Sequence, residues 1–260
     1  MFYQRVDIPI NEPYPEYITL LPIGDIHHGN PYSNLAKALE FRQFILDTPY
    51  TYTIDGGDDL DCVTKESKGN IYEQVMSPYF QKKETLNFWR PVAKAGKLWC
   101  VLDDNHSYRV KDLADWRIMS DVSEELGVLY GGWGAFIDIR IIKDGKDIRQ
   151  YTVYTVHGKR SAITDSGALN NVIRMNQRAI ADIYLRFHHH RKIVHQDEIK
   201  KLTFSDNKWV LAEHKRTYAI NGSFLEWDNS YAEMNEYNIS IKGCIKFKLF
   251  VDKWDVHISL

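Results

Sequence analysis

Leu98-Trp99-Cys100-Val101-Leu102-Asp103-Asp104-Asn105-His106-Ser107-Tyr108-Arg109 is the stretch on which the fold turns. An apolar run of strand length breaks off into acid, amide, imidazole and guanidinium within a few residues. The same break occurs at four other places. Asp25-Ile26-His27 follows Ile18 to Ile23, and Gly57-Asp58 follows Tyr52-Thr53-Ile54. His157 closes Tyr151 to Val156, and His188-His189-His190 closes Ile183 to Phe187. Ligands of open α/β sheets gather outside the carboxyl ends of the strands. Strands that repeatedly end in Asp, Asn or His therefore describe a metal site.

Outward from these ends, helical patterns alternate with the strands. Ser33-Asn34 caps a helix carrying Leu35, Ala38, Leu39, Phe41 and Ile45. A helical region follows from about Ile71 to Ala95, with breaks expected at Pro78 and Pro91. Leu113, Trp116, Met119, Val122 and Leu126 share a further helical face that stops at Gly127. Ile137, Ile139 and Ile141 then alternate with polar residues, the period of a half-buried strand. Lys143-Asp144-Gly145-Lys146 turns it back through Ile148 to Val156 as a hairpin. Leu169, Val172, Ile173 and Ile180 mark another helix, and from about Lys192 the tail reads as strands and loops, with Lys246 and Lys248 alternating with apolar neighbours. The first residues read as an extended leader. The pattern predicts one α/β domain over residues 1–260, a βαβ half and a β-rich half packed as two sheets between helices.

A chain of 260 residues can bury a substantial core. Its formal net charge of −2 gives no general reason to expect a polyanionic partner. Three scattered cysteines, Cys62, Cys100 and Cys244, suit a reducing compartment better than a disulfide framework. No apolar run approaches the ~20 residues of a membrane helix, and Met1 to Asp7 lack a signal-peptide pattern. The expected location is cytoplasmic, with no membrane partner.

Each motif has an ordinary reading when taken alone. Asp25 and His27 can be a chance pair, and Asp55, Asp58, Asp59 and Asp61 a solvated acidic turn. Asn105-His106 can be a turn, and His157 a satisfied strand-end histidine. Their order at successive strand ends is the specific signal. Mixed carboxylate and imidazole ligands suit Mn²⁺, Fe²⁺ or Zn²⁺ more than Ca²⁺.

In this order the residues resemble the calcineurin-like metallophosphoesterases. That family's blocks run D-x-H, G-D-x-x-D, G-N-H-[DE], a single H, then G-H-x-H. Here they read Asp25-Ile26-His27, Gly57-Asp58-Asp59-Leu60-Asp61, Asn105-His106, His157 and His188-His189-His190. Ala219-Ile220-Asn221-Gly222-Ser223 resembles the segment after the last histidines. Asp104 and Phe187 stand where the pattern has glycine, and Ser107 where it has an acid. Aspartate tolerates left-handed geometry and phenylalanine does not, so the last loop is expected to turn differently or later.

The resemblance implies a four-layer α/β/β/α sandwich of two mixed sheets flanked by helices. It implies two divalent ions, Mn²⁺ first with Fe²⁺ or Zn²⁺ as alternatives, about 3.5–4 Å apart and sharing a bridging hydroxide. Asp25, His27, Asp58 and His190 would hold one ion. Asp58, bridging, with Asn105, His157 and His188 would hold the other. His106 would protonate the leaving oxygen or stabilise its charge, Arg109 would steady a phosphate oxygen, and Asp61 would orient a ligand. The implied activity is phosphoester hydrolysis. Near the motifs only Arg109, Lys159 and Arg160 could meet a monoester's extra charge, so a phosphodiesterase or nuclease acting on nucleic acid or a nucleotide is expected. A phosphomonoesterase, and a non-catalytic metal- or phosphate-binding protein with a degenerate site, are the alternatives. The oligomeric state is left open.

Overall fold

The computed structural model describes all residues except 66, 68, 69, 160, 161 and 206, with the main chain alone at 205 and 231. In chain order the strands are β1 (Phe2–Pro9), β2 (Tyr17–Leu20), β3 (Thr51–Asp55), β4 (Leu98–Val101), β5 (Leu129–Tyr130) and β6 (Gly134–Lys143). There follow β7 (Lys146–Val156), β8 (Ile183–Arg186), β9 (Ile193–Ser205), β10 (Lys208–Ile220), β11 (Lys246–Phe250) and β12 (Val256–Ser259). They form two six-stranded sheets, ordered β12-β11-β2-β3-β4-β5 and β1-β6-β7-β8-β10-β9. Both sheets are mixed. β2, β3, β4 and β5 run parallel while β11 is antiparallel to β2, and β7 is parallel to β8 but antiparallel to β6.

Side chains alternate across a strand, so each sheet feeds two cores. Ile18, Leu20, Ile54 and Trp99 of the first sheet meet Ile137, Ile139, Tyr151, Val153, Ile183 and Leu185 of the second. The other face of the first sheet, with Leu98 and Val101, packs on three helices, α1 (Leu35–Asp47), α2 (Pro78–Lys94) and, beyond α3 (Asn105–Ala114), α4 (Ile118–Leu126). The outer face of the second sheet, through Tyr154, Tyr184 and Tyr218, packs on Ala168 and Val172 of α5 (Asp165–Ile173). The layers are therefore helix, sheet, sheet, helix. Truncating a residue such as Ile139, buried between the sheets, would cost about 2–5 kcal/mol.

Local chemistry explains most of the boundaries. Asn34 caps α1 by accepting from Lys37 N, and Gly127 closes α4 at φ 68°. Several expectations are corrected. The leader is an eight-residue strand, β1, paired in parallel with β6. Pro78 opens α2 instead of breaking a longer helix, because a first-turn proline has no N–H to lose. Pro91 lies inside α2, which runs on to Lys94. The face from Leu113 to Leu126 is split between α3 and α4, with Asp115 in left-handed geometry between them and Leu113 exposed. Ile180 lies beyond α5 and is exposed. The tail enters both sheets, β10 beside β8 and β11 beside β2. No described helix is long and apolar enough to cross a membrane.

Candidate metal centre

Three of the five motif-bearing strands, β2, β3 and β8, lead into backbone that side chains rarely adopt. Asp25, His27, Asp58, His188 and His190 have φ of 54°, 56°, 52°, 74° and 56°. Such left-handed geometry costs on the order of 1 kcal/mol per non-glycine residue, least for Asp, Asn and His. Concentrated at one spot, it marks a site whose surroundings enforce it. Here the enforcement is a ladder between loops: Asp25 N–H donates to Gly57 O at 2.8 Å and His27 N–H to Asp58 O at 2.9 Å.

The last loop does turn later. Phe187 is fully buried and takes no positive φ, and His188 takes the first left-handed position. The Phe187 ring lies over Gly24 and Gly56, where an added Cβ would come within 2.9 and 2.2 Å of it. Asp104 needs no left-handed geometry either. At φ −145° it is extended and caps α3 by accepting from Ser107 N at 2.6 Å. That cap sets Asn105 and His106 at the start of the helix.

These turns bring the predicted side chains together. Asp25, His27, Asp58 and His190 form one group able to hold a metal ion, and Asp58, His157 and His188 a second, with ligand atoms within 4.8 Å of one another in each. His190 Nε2 stands 3.1 Å from Asp25 Oδ1 and 3.4 Å from His27 Nε2. His157 Nε2 stands 3.2 Å from Asp58 Oδ2 and 3.1 Å from Asn105 Oδ1. Asp58 Oδ2 is also 3.9 Å from His188 Nδ1 and 4.0 Å from His27 Nε2. Each carboxylate is anchored through one oxygen. Asp25 Oδ2 accepts from His188 N–H and Asp58 Oδ1 from His106 N–H. The second oxygens, Asp25 Oδ1 and Asp58 Oδ2, are buried and have no hydrogen-bond partner, and neither has His188 Nδ1. Buried carboxylate oxygens left without partners are costly. Atoms that converge without hydrogen bonds fit a cation.

The surroundings of the ionisable groups show the same deficit of positive charge. His157 gives one ring proton to Gly56 O at 2.8 Å and faces the Asn105 amide oxygen with its other nitrogen. Both neighbours are acceptors, so that nitrogen needs either a second proton or a cation. Burial opposes the charged ring, but Asp58 and Asp25 outweigh it and raise His157 to about 10. Burial likewise opposes His27, and Asp61 and Asp58 raise it to about 8. Burial pushes the Asp58 carboxyl up, yet His106 and His157 hold it well below the carboxylate range.

Around the two groups lie residues that orient them. Asp61 Oδ1 accepts from His27 Nδ1 at 3.0 Å, leaving His27 Nε2 toward the centre. Asp61 Oδ2 in turn accepts from Gln74, whose amide oxygen accepts from Gln81. Neither glutamine carries a sequence signal; both are ordinary amides in a stretch read as helix. Asp55, Asp58, Asp59 and Asp61 are all buried, so the acidic run is no solvated turn. Burial raises Asp55 well above the carboxylate range and Asp59 to about 7, and Trp89 Nε1 donates to Asp59. Asn221, at the end of β10, ties Pro22 O to Ile245 N.

His106 lies beside the groups, with Nε2 3.7 Å from Asp58 Oδ2 and Nδ1 2.6 Å from the Asp61 carbonyl. That carbonyl only accepts, so Nδ1 carries the proton. With His27 and Asp61, His106 also makes a third group of metal-ligand type. The Arg109 guanidinium lies along its ring, 3.3 Å from each nitrogen. Burial drives His106 down to about 4, with Asp58 opposing and His27 and Arg109 adding to the fall. His189 belongs to none of these groups. Its ring is part-buried, and burial, with Arg186, lowers it to about 3. Lys159 is exposed, and Arg160 lies outside the described residues.

No family model matches the chain, and no curated protein matches it. Among solved structures, a conserved uncharacterized protein from Streptococcus pneumoniae, described as a predicted phosphoesterase, is similar over 93% of this chain and 88% of its own. The identity is 10% and the TM-score 0.33. At that distance the functional reading rests on the side chains.

Proposed function

We propose that this chain is a metal-dependent phosphoester hydrolase with a binuclear centre. The observation that carries the reading is Asp58 Oδ2, buried, without a hydrogen-bond partner and common to both ligand groups. Asp25, His27 and His190 would hold one ion, Asn105, His157 and His188 the other, with Asp58 between them. The mixed oxygen and nitrogen set suits Mn²⁺ first, with Fe²⁺ or Zn²⁺ as alternatives. Two such cations lower the pKa of coordinated water and neutralise charge on a phosphoryl group.

The protein's own groups do the rest. Asp61 fixes the His27 ring. His106 rests neutral, with its Nε2 lone pair toward Arg109. A phosphate arriving at that nitrogen adds negative charge, draws the guanidinium to its own oxygen and favours uptake of a proton from water at Nε2, which the ring can then give to the leaving oxygen. The substrate is a phosphodiester, nucleic acid or nucleotide in preference to a monoester. Both sheets contribute ligands, which supports residues 1–260 working as one domain. Buried, unpaired Cys62, Cys100 and Cys244 suit a cytoplasmic setting.

The test is elemental analysis of the purified protein after Mn²⁺ loading, with turnover of bis-nitrophenyl phosphate. Two ions per chain and turnover are expected. No bound metal under any loading condition overturns the reading.

A further inference from the structure

The hairpin of β9 and β10 is longer than the sheet that carries it. β10 pairs with β8 only from Thr217 to Ile220, whereas it pairs with β9 from Ile220↔Ile193 out to Lys208↔Ser205. The outer part is a two-stranded arm, marginal by itself in water. One face carries the cross-strand pairs Leu202↔Leu211 and Phe204↔Trp209. These four side chains are 60%, 65%, 56% and 66% exposed. β9 is the last strand of its sheet, and no described strand pairs with its outer edge. An exposed edge of this length is a template for another strand.

The edge is written to fit itself. Its middle reads Asp197-Glu198-Ile199-Lys200-Lys201, and Ile199 is the midpoint of the thirteen-residue strand. We propose that β9 pairs antiparallel with β9 of a second copy, about a two-fold axis through the Ile199 pair and perpendicular to the sheet. In that register Glu198 lies opposite Lys200 of the second copy and Asp197 opposite Lys201, and the symmetry repeats both pairs. Directly opposite residues share a face, so all four contacts are opposite-charge neighbours. A parallel pairing in register sets each charge against itself, and a two-residue slip sets Glu198 or Lys200 against its own copy. Edge charges usually keep strands apart; these exclude partners other than a second β9.

Within one chain Asp197 is held by Arg216 and Lys200 by Glu213. Glu198 and Lys201 make no ion pair among the described residues. The same register sets Leu202 opposite Gln196 and Phe204 opposite Val194 of the second copy. That is the foot of the other hairpin, where Val194 packs on the core between the sheets. The apolar face of each arm thereby lies over the other copy's core. The interface is isologous and closes as a dimer.

Light scattering on the full chain tests this. Wild type should run at twice the 30.5 kDa of one chain. The double variant E198K/K201E keeps the net charge and both intrachain pairs, but makes all four cross-copy contacts like-charge. It should raise the dimer dissociation constant roughly 10²–10³-fold, four pairs each passing from attraction to repulsion. The triple variant E198K/K200E/E213K restores opposite charges across the axis and at the 200/213 pair, keeps the new lysine at position 198 opposite Lys215 as the double variant does, and should dimerise as wild type does. Circular dichroism and Mn²⁺ uptake confirm that each variant is folded. A monomeric wild type, a double variant as dimeric as wild type, or a folded triple variant that stays monomeric overturns the proposal. Open-ended oligomers overturn it too, since the two-fold pairing closes.

Discussion

At His157 a second ring proton does what a cation would do, because both ring nitrogens face acceptors. The consequence is measurable. His157 at about 10 and His27 at about 8 lie above the ordinary histidine value near 6.5. In metal-free protein their charged forms therefore contribute stability that is fully present below about pH 6.5. It is lost as pH rises through about 8 and then about 10. The metal-free melting temperature should fall across that window, and the Mn²⁺-loaded protein should show a flatter profile. Metal uptake expels the same protons, so affinity should rise from pH 6.5 to 8, with proton release visible by calorimetry in buffers of different ionisation enthalpy. Asp58→Asn should abolish both ions together, since an amide brings no charge to the space the two groups share. Loss of one ion alone by elemental analysis would place the bridge elsewhere. His106→Ala should keep both metals and lose roughly 10²–10⁴-fold in kcat, less with nitrophenolate leaving groups that need little protonation. Stripped metal in that variant would make His106 a ligand through its group with His27 and Asp61.

At the scale of elements, Phe187 shows how a loop can lose its glycine. The turn moves one residue on, into His188, and the ring fills the space above Gly24 and Gly56. Gly56→Ala should then destabilise the protein by about 1–3 kcal/mol through overpacking. Phe187→Leu in the same chain should recover part of that loss by denaturant titration; simple additivity would disprove the contact. The strand ends were legible because each breaks an apolar run with a ligand-type side chain. The later turn was legible as a need, since phenylalanine resists left-handed geometry, though not as a place. β1 was not legible, because much of Phe2–Pro9 is exposed and its partner β6 lies far along the chain. Gln74 and Gln81 were invisible for a related reason. Their meaning lies in contacts, Gln74 with Asp61 and Gln81 with Gln74, not in any spacing. The role of Asp104 was mistaken because its position suggested a left-handed turn, while three residues on an N–H at Ser107 needed a cap.

At the scale of the whole molecule, the question is which phosphoester the site accepts. A monoester carries one more negative charge than a diester, and sites that prefer it surround the phosphate with several cations. Among the described residues near the centre, Arg109 lies along the His106 ring. Arg191 is committed to Asp165 and to the Ile163 carbonyl, and Lys159, two residues past His157, is exposed. Between His27 and His190 most of the described chain forms the strands of the two sheets and the helices on their faces. No described unit there stands apart as a cap, so an extended substrate can lie across the strand ends. Mn²⁺-loaded protein should hydrolyse bis-nitrophenyl phosphate at least as fast as nitrophenyl phosphate from pH 6 to 9. Arg109→Ala should weaken both substrates and the monoester more, because the monoester carries more charge for that guanidinium to meet. A strong preference for the monoester at every pH would mean that cations converge on the phosphate once it binds, and would make the chain a phosphomonoesterase.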